Sequence, residues 1–163
     1  MTTSYKHTQK GSPWFYWGTP LLGLVLTLAV VFIAVKAAAE KANANYVDTL
    51  LQDKVVLITV PVLIWAGLFM SQLKVWIDGE FVRVRFGCGT WRKKFALDKI
   101  QSAAPVRNDW SMGWGIHWVG NGWLYNIAGL EAVEITFKNG KKARIGTDEP
   151  GKLAGAIESA LKK

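Results

Sequence analysis

Two long stretches without a single charge constrain this chain more than anything else in it. Residues 14–35, WFYWGTPLLGLVLTLAVVFIAV, run for 22 positions, and residues 55–73, VVLITVPVLIWAGLFMSQL, for 19. A hydrocarbon core about 30 Å thick is crossed by about 20 apolar helical residues. The expectation is a pair of transmembrane helices, at 14–36 and 55–73. Pro20 and Pro61 fall early in their runs, and membrane helices tolerate proline. Trp14 and Trp17, with Phe15 and Tyr16 between them, cluster as an interfacial aromatic belt would. Two buried core helices are the competing reading, but a chain of 163 residues leaves little protein to cover both on every face. A cleaved signal peptide is another, with Lys6 and Lys10 as its basic start and Ala37-Ala38-Ala39 as its small-residue site. Against it, the apolar stretch is longer than a usual signal core and begins with four aromatics.

Basic residues near the spans set orientation. Lys6, Lys10, Lys74, Arg83, Arg85, Arg92, Lys93 and Lys94 would lie on one side, against Lys36, Lys41 and Lys54 on the other. This predicts a multi-pass membrane protein with both termini cytoplasmic. The expected layout is a cytoplasmic tail at 1–13, a first span at 14–36, an extracytoplasmic connector at 37–54, a second span at 55–73 and a cytoplasmic domain at 74–163.

From Lys74 the hydrophobic period shortens to two. KVWIDGEFVRVRF holds two alternating runs joined at Asp78-Gly79, a strong hairpin signal. Val82, Val84 and Phe86 fall on one face, and Phe81, Arg83 and Arg85 on the other. Gly87-Cys88-Gly89 breaks the run, and TWRKKFAL begins another strand. Residues 98–104 read as a turn or loop. LEAVEITF and KARIG then flank the turn Lys138-Asn139-Gly140-Lys141. Thr147 or Asp148 would cap a closing helix with Pro150 in its first turn, and Leu153, Ala156, Ile157, Ala160 and Leu161 form its apolar stripe. The soluble part is thus expected to be six or seven antiparallel strands and one amphipathic helix.

The stretch GWGIHWVGNGWLYN, residues 113–126, packs glycine and tryptophan together. It reads as a bent hairpin turning at Gly120-Asn121-Gly122. Its aromatics either fill a small barrel core or, at Trp110, Trp118 and Trp123, reach a membrane interface or a partner.

The segments GWGIHWVGNGWLYNIAGLEAVEI and KARIGTDEPGKLAGAIESAL resemble the bacterial pleckstrin-homology-like membrane proteins. The resemblance covers roughly residues 74–163. It implies an α+β protein of the bacterial cytoplasmic (inner) membrane: a two-helix transmembrane hairpin, then a bent antiparallel sheet or barrel capped by one C-terminal helix. It carries over no catalytic motif, and the fold hosts many roles.

No enzyme chemistry stands out. His7, His117 and Cys88 have no zinc spacing, and neither a nucleophile elbow nor a phosphate loop occurs. No catalytic residue, metal or cofactor is expected. Cys88 is the only cysteine, so no intrachain disulfide can form. The domain from Lys74 carries fifteen Lys and Arg against nine Asp and Glu. Arg83, Arg85, Arg92 and Lys94 would gather on one face if the chain folds back at 87–89. They would suit anionic lipid headgroups or an acidic partner. Nucleic acid is not expected, since the excess charge is modest and no binding motif accompanies it. The expected function is a non-enzymatic membrane scaffold, or an accessory or assembly subunit with a protein partner or as a homo-oligomer. The alternative is a membrane-surface module for anionic lipids.

Overall fold

The computed structural model describes residues 5–18, 21–25, 28–29, 32, 36 and 54–162. The chain divides into two compact units, one of residues 1–12 and 70–163 and the other of residues 13–69.

The first unit is built on two sheets. β1 (Tyr5–Lys10), β2 (Gln72–Ile77), β3 (Phe81–Phe86) and β4 (Trp91–Ala96) form an antiparallel sheet in that order. Asp78-Gly79 turns β2 into β3, and residues 87–90 turn β3 into β4. β5 (Ile100–Arg107), β6 (Gly115–Trp118), β7 (Gly122–Asn126), β8 (Glu131–Phe137) and β9 (Lys142–Gly146) form the second sheet, in the order β5-β8-β9-β7-β6. The core lies where alternation put it: Leu73, Val75, Ile77, Val82, Val84 and Phe86 from one sheet, with Leu124, Val133, Ile135 and Ile145 from the other. Trp91 bridges them, its ring centroid 5.4 Å from Phe86 and 5.2 Å from Tyr125.

A helix, α2 (Pro150–Leu161), closes the chain and buries Leu153, Ala154 and Ile157. It packs on β5 and β8. Neither Thr147 nor Asp148 is its cap. Glu149 holds that position, and the Thr147 hydroxyl accepts the Glu149 N–H just ahead of the helix.

The expected transmembrane hairpin is overturned. Among the described residues no helix is long and apolar enough to cross a membrane. Helix α1 (Lys54–Phe69) has 16 residues, about 24 Å at 1.5 Å per residue. That is short of the ~30 Å hydrocarbon thickness. The charge-free run reaches 73, but its end belongs to β2, which begins at Gln72 and alternates through Leu73, Val75 and Ile77. At the other run, Trp14–Gly18 is a π-helical turn. Residues 37–53 of the expected 37–54 connector, and positions 19–20, 26–27, 30–31 and 33–35 of the first run, lie outside the described residues, while Lys54 already belongs to α1. With no spanning helix among the described residues, the expected multi-pass inner-membrane placement and its topology are overturned too.

Three further expectations change. The supposed tail holds β1, paired with β2 from Tyr5↔Ile77 to Lys10↔Gln72. The supposed loop at 98–104 is a single turn at Leu97–Lys99 followed by β5. β5 is an edge strand, which is why Pro105 is accommodated. Its register shifts between Ile100 and Ser102, and the Ala103 N–H donates to Glu158 of α2 at 2.6 Å. Finally, the sheet is not wholly antiparallel, because β7 and β9 pair parallel.

The inward face of β1 is polar, and only part of it is satisfied. His7 reaches Asp148 (2.5 Å) and Glu149 (3.3 Å), and Gln9 is buried with its amide donating to the Ala128 carbonyl at 3.0 Å. The Tyr5 hydroxyl is buried without a partner, and its pKa is pushed up to about 12, first by burial and then by the charges of Glu149 and Asp148. The folded chain therefore holds this proton more tightly than the unfolded chain, whose value is 10.0. The stability it contributes is complete below pH 10 and lost as pH rises through 12. Tyr5→Phe is expected to be at least as stable as the parent at pH 7 and to lose less stability between pH 10 and 12. Denaturant titrations across that range check it; a parallel loss in both proteins would refute it.

Candidate functional site

The outward face of the first sheet is built from one kind of charge. Alternation along β3 turns Phe81, Arg83 and Arg85 outward while Val82, Val84 and Phe86 go in. The 87–90 turn sets the register Arg83↔Lys94 and Arg85↔Arg92, and β2 places Lys74 beside Arg85 and Trp76 beside Arg83. β1 then adds Lys6 opposite Trp76 and Thr8 opposite Lys74, with Lys10 at the end of the strand. Lys6 and Lys10 are exposed and share this face. Like charges directly opposite on neighbouring strands are destabilising, yet Arg85 has a cation on each side.

Acid is scarce here. Asp78 forms an ion pair with Arg83, and it is the one carboxylate so engaged on this face among the described residues. Arg83 and Lys94 lie 5.2 and 5.0 Å from the centroid of the Phe81 ring. An aromatic face attracts cations within about 6 Å, so Phe81 helps hold both. Arg92 donates to the Gly89 carbonyl at 3.2 Å. The Arg85 Nε is buried and has no acceptor. A shallow cleft of about 360 Å³ opens among Trp76, Arg83, Arg85, Arg92 and Lys94.

The second sheet treats its charges differently. Glu134 accepts from Lys142 at 2.5 Å and from Arg144 at 2.8 Å, and Arg107 pairs with Glu131 at 3.3 Å. Burial alone would raise the Glu134 pKa, but the hydrogen bonds and charges of Lys142 and Arg144 outweigh it and hold the carboxyl below its usual range. Its stabilisation is present above the ordinary carboxylate pKa and is lost as pH falls through the lower folded value. Glu134→Gln should cost about 2 kcal/mol at neutral pH, the scale of a hydrogen bond to a charged group. The gap should narrow in acid as the parent's own carboxyl protonates. Denaturant unfolding at about pH 7 and pH 3 measures it, and an undiminished gap in acid would contradict the assignment.

The expected aromatics are dispersed. Trp14 and Trp17 are exposed in the unit of residues 13–69. Trp110 is 75% exposed on a single turn before β6, while Trp118 and Trp123 are 54% and 46% exposed and face each other across β6 and β7. None of these three is core. Within the same stretch the core takes Leu124 and Tyr125 instead. Cys88 is exposed in the turn between β3 and β4. His117 lies half-buried on edge strand β6 with its Nε2 lacking a partner. Among the described residues no group of three or more His, Cys, Asp or Glu is placed to hold a metal.

Sequence reasoning missed Lys6, Lys10 and Trp76 as members of the basic face. The signal was present in YKHTQK, where Lys6, Thr8 and Lys10 alternate with Tyr5, His7 and Gln9. Its inner positions are polar, so no hydrophobic alternation marks it. No protein-family model and no curated protein sequence matches this chain.

Proposed function

We propose that the β unit is a non-enzymatic binding module that takes anionic lipid headgroups on the outer face of β1–β4. The observation that carries the reading is the cross-strand register of Arg83 with Lys94 and of Arg85 with Arg92, flanked by Lys74, Lys6 and Lys10, while the strand cations Arg107, Lys142 and Arg144 of the second sheet each meet a carboxylate. An array of cations spread over four strands fits a surface of many phosphates better than it fits one compact ligand. Basic residues near an anionic bilayer are worth about 1 kcal/mol each. The test is co-sedimentation of the full chain with vesicles of phosphatidylglycerol and of phosphatidylcholine. Binding should require the anionic lipid and weaken steeply as salt is raised. Equal binding to both vesicles would defeat the proposal, and retention on an acidic polypeptide without vesicle binding would replace lipid by an acidic protein.

A second reading, a scaffold or assembly subunit, is favoured by the unit of residues 13–69. Leu21, Leu24, Phe32, Val62, Trp65 and Leu68 are each more than half exposed there. Large exposed apolar patches mark interaction surfaces. Chemical crosslinking of the full chain under native conditions should yield discrete higher-mass species. Recovery of monomer alone would argue against this reading.

A further inference from the structure

A second cleft lies in the β unit, and its chemistry differs from that of the basic face. It measures about 300 Å³, at the lower end of small-molecule sites, and opens between β4 and the strands β6–β9. Phe95 and Tyr125 are its buried floor, with ring centroids 5.8 Å apart, and Phe137 adjoins Phe95 at 5.7 Å. Trp118 and Trp123 form a wall, edge to face at 6.0 Å and 82°. Three lysines stand at the mouth and no carboxylate lines it. Lys142 is engaged with Glu134. Lys93 and Lys141 are exposed, and among the described residues neither is paired with an acid.

We propose that this cleft binds a small amphipathic organic anion, with a flat aromatic body between the tryptophans and the Phe95–Tyr125 floor and a carboxylate toward Lys93 and Lys141. Flat rings offer large apolar area, and aromatic pairs gain beyond that area when offset or edge-to-face. A neutral or cationic body would leave the two lysines uncompensated. The occupant is thus selected by shape at the bottom and by charge at the rim. The site is distinct from the basic face: Lys93 is registered opposite inward-facing Val84, whereas Arg92 and Lys94 turn outward. Lys93 borders both clefts, and Lys141 belongs to this one.

The test uses the full chain labelled with 5-fluorotryptophan and followed by fluorine NMR, with Trp118 and Trp123 assigned through W118F and W123F. The probes are 2-naphthoate and its neutral counterpart 2-naphthylmethanol. The Trp118 and Trp123 signals should move saturably with 2-naphthoate, which should bind about tenfold more tightly than the alcohol, as two exposed charges allow. The paired substitution K93Q/K141Q should bring the two probes to within about threefold. The pair R85Q/R92Q, on the other face, should leave the preference intact. Shifts that fail to saturate, equal affinity for both probes, or a preference that survives K93Q/K141Q would each overturn the proposal.

Discussion

Gly122→Ala should unfold the β unit at a temperature roughly 15–20 °C lower, the equivalent of about 3 kcal/mol for a unit of this size. A β-carbon at Gly122 would lie 2.1 Å from the Lys142 carbonyl oxygen, which is backbone and not the yielding end of a side chain. Gly122 and Lys142 are register partners in the parallel β7–β9 pair, so the clash falls on the seam of the second sheet. The seam must open or shift, carrying with it Trp123↔Ala143 and Leu124↔Arg144. Gly120, two residues earlier, is a useful contrast. Its φ is +85° with open space around it, so alanine there meets only the left-handed penalty of about 1–2 kcal/mol. Thermal unfolding by circular dichroism compares the two. A Gly122→Ala protein as stable as Gly120→Ala would mean that the parallel pairing is not formed as described.

The second large effect concerns binding without loss of fold. Replacing Arg83, Arg85, Arg92 and Lys94 together by glutamine should weaken association with phosphatidylglycerol vesicles by roughly a thousandfold, from about 1 kcal/mol per cation. The same protein should melt no lower than the parent. Relief of the Arg83–Lys94 and Arg85–Arg92 repulsions offsets the lost Arg83–Asp78 ion pair. A gain in stability at the expense of binding is the pattern of a surface kept for function. Vesicle titration and calorimetry on one preparation read both quantities. Unchanged vesicle affinity would remove these four residues from the site, and a large fall in melting temperature would make them structural.

The parts of the fold that could be read in advance are those where one face is apolar and the turn is chemically marked. Asp78-Gly79, Gly87-Cys88-Gly89 and Asn139-Gly140 each separate alternating runs, and the cross-strand partners of Arg83 and Arg85 follow from them. β1 was hidden because its inward residues, Tyr5, His7 and Gln9, are polar, with His7 and Gln9 held by particular partners and not by hydropathy. β5 was hidden because its burial does not alternate, its small residues lying beside an irregularity and beneath α2. The parallel β7–β9 pair joins segments twenty residues apart, beyond the reach of any local turn signal. At the charge-free run ending at 73, apolar length masked a change of period at Gln72. Of the two places open to the aromatics of residues 113–126, Trp118 and Trp123 take the half-exposed one, while Leu124 and Tyr125 enter the core.

The pairing of β1 with β2 bears on how this protein should be cut. Lys10 and Gln72 are partners, and the Gly11 N–H donates to the Ser71 carbonyl at 2.8 Å. The two ends of the intervening segment are thus stapled side by side by the unit it interrupts. Loop length changes closure entropy only slowly, so a short linker from Ser12 to Met70 would leave an ordinary hairpin in place of the excursion. A fragment begun at Lys74 would instead discard β1 and the first residues of β2. It would strip Lys6 and Lys10 from the cationic face and leave an unpaired strand edge open to aggregation.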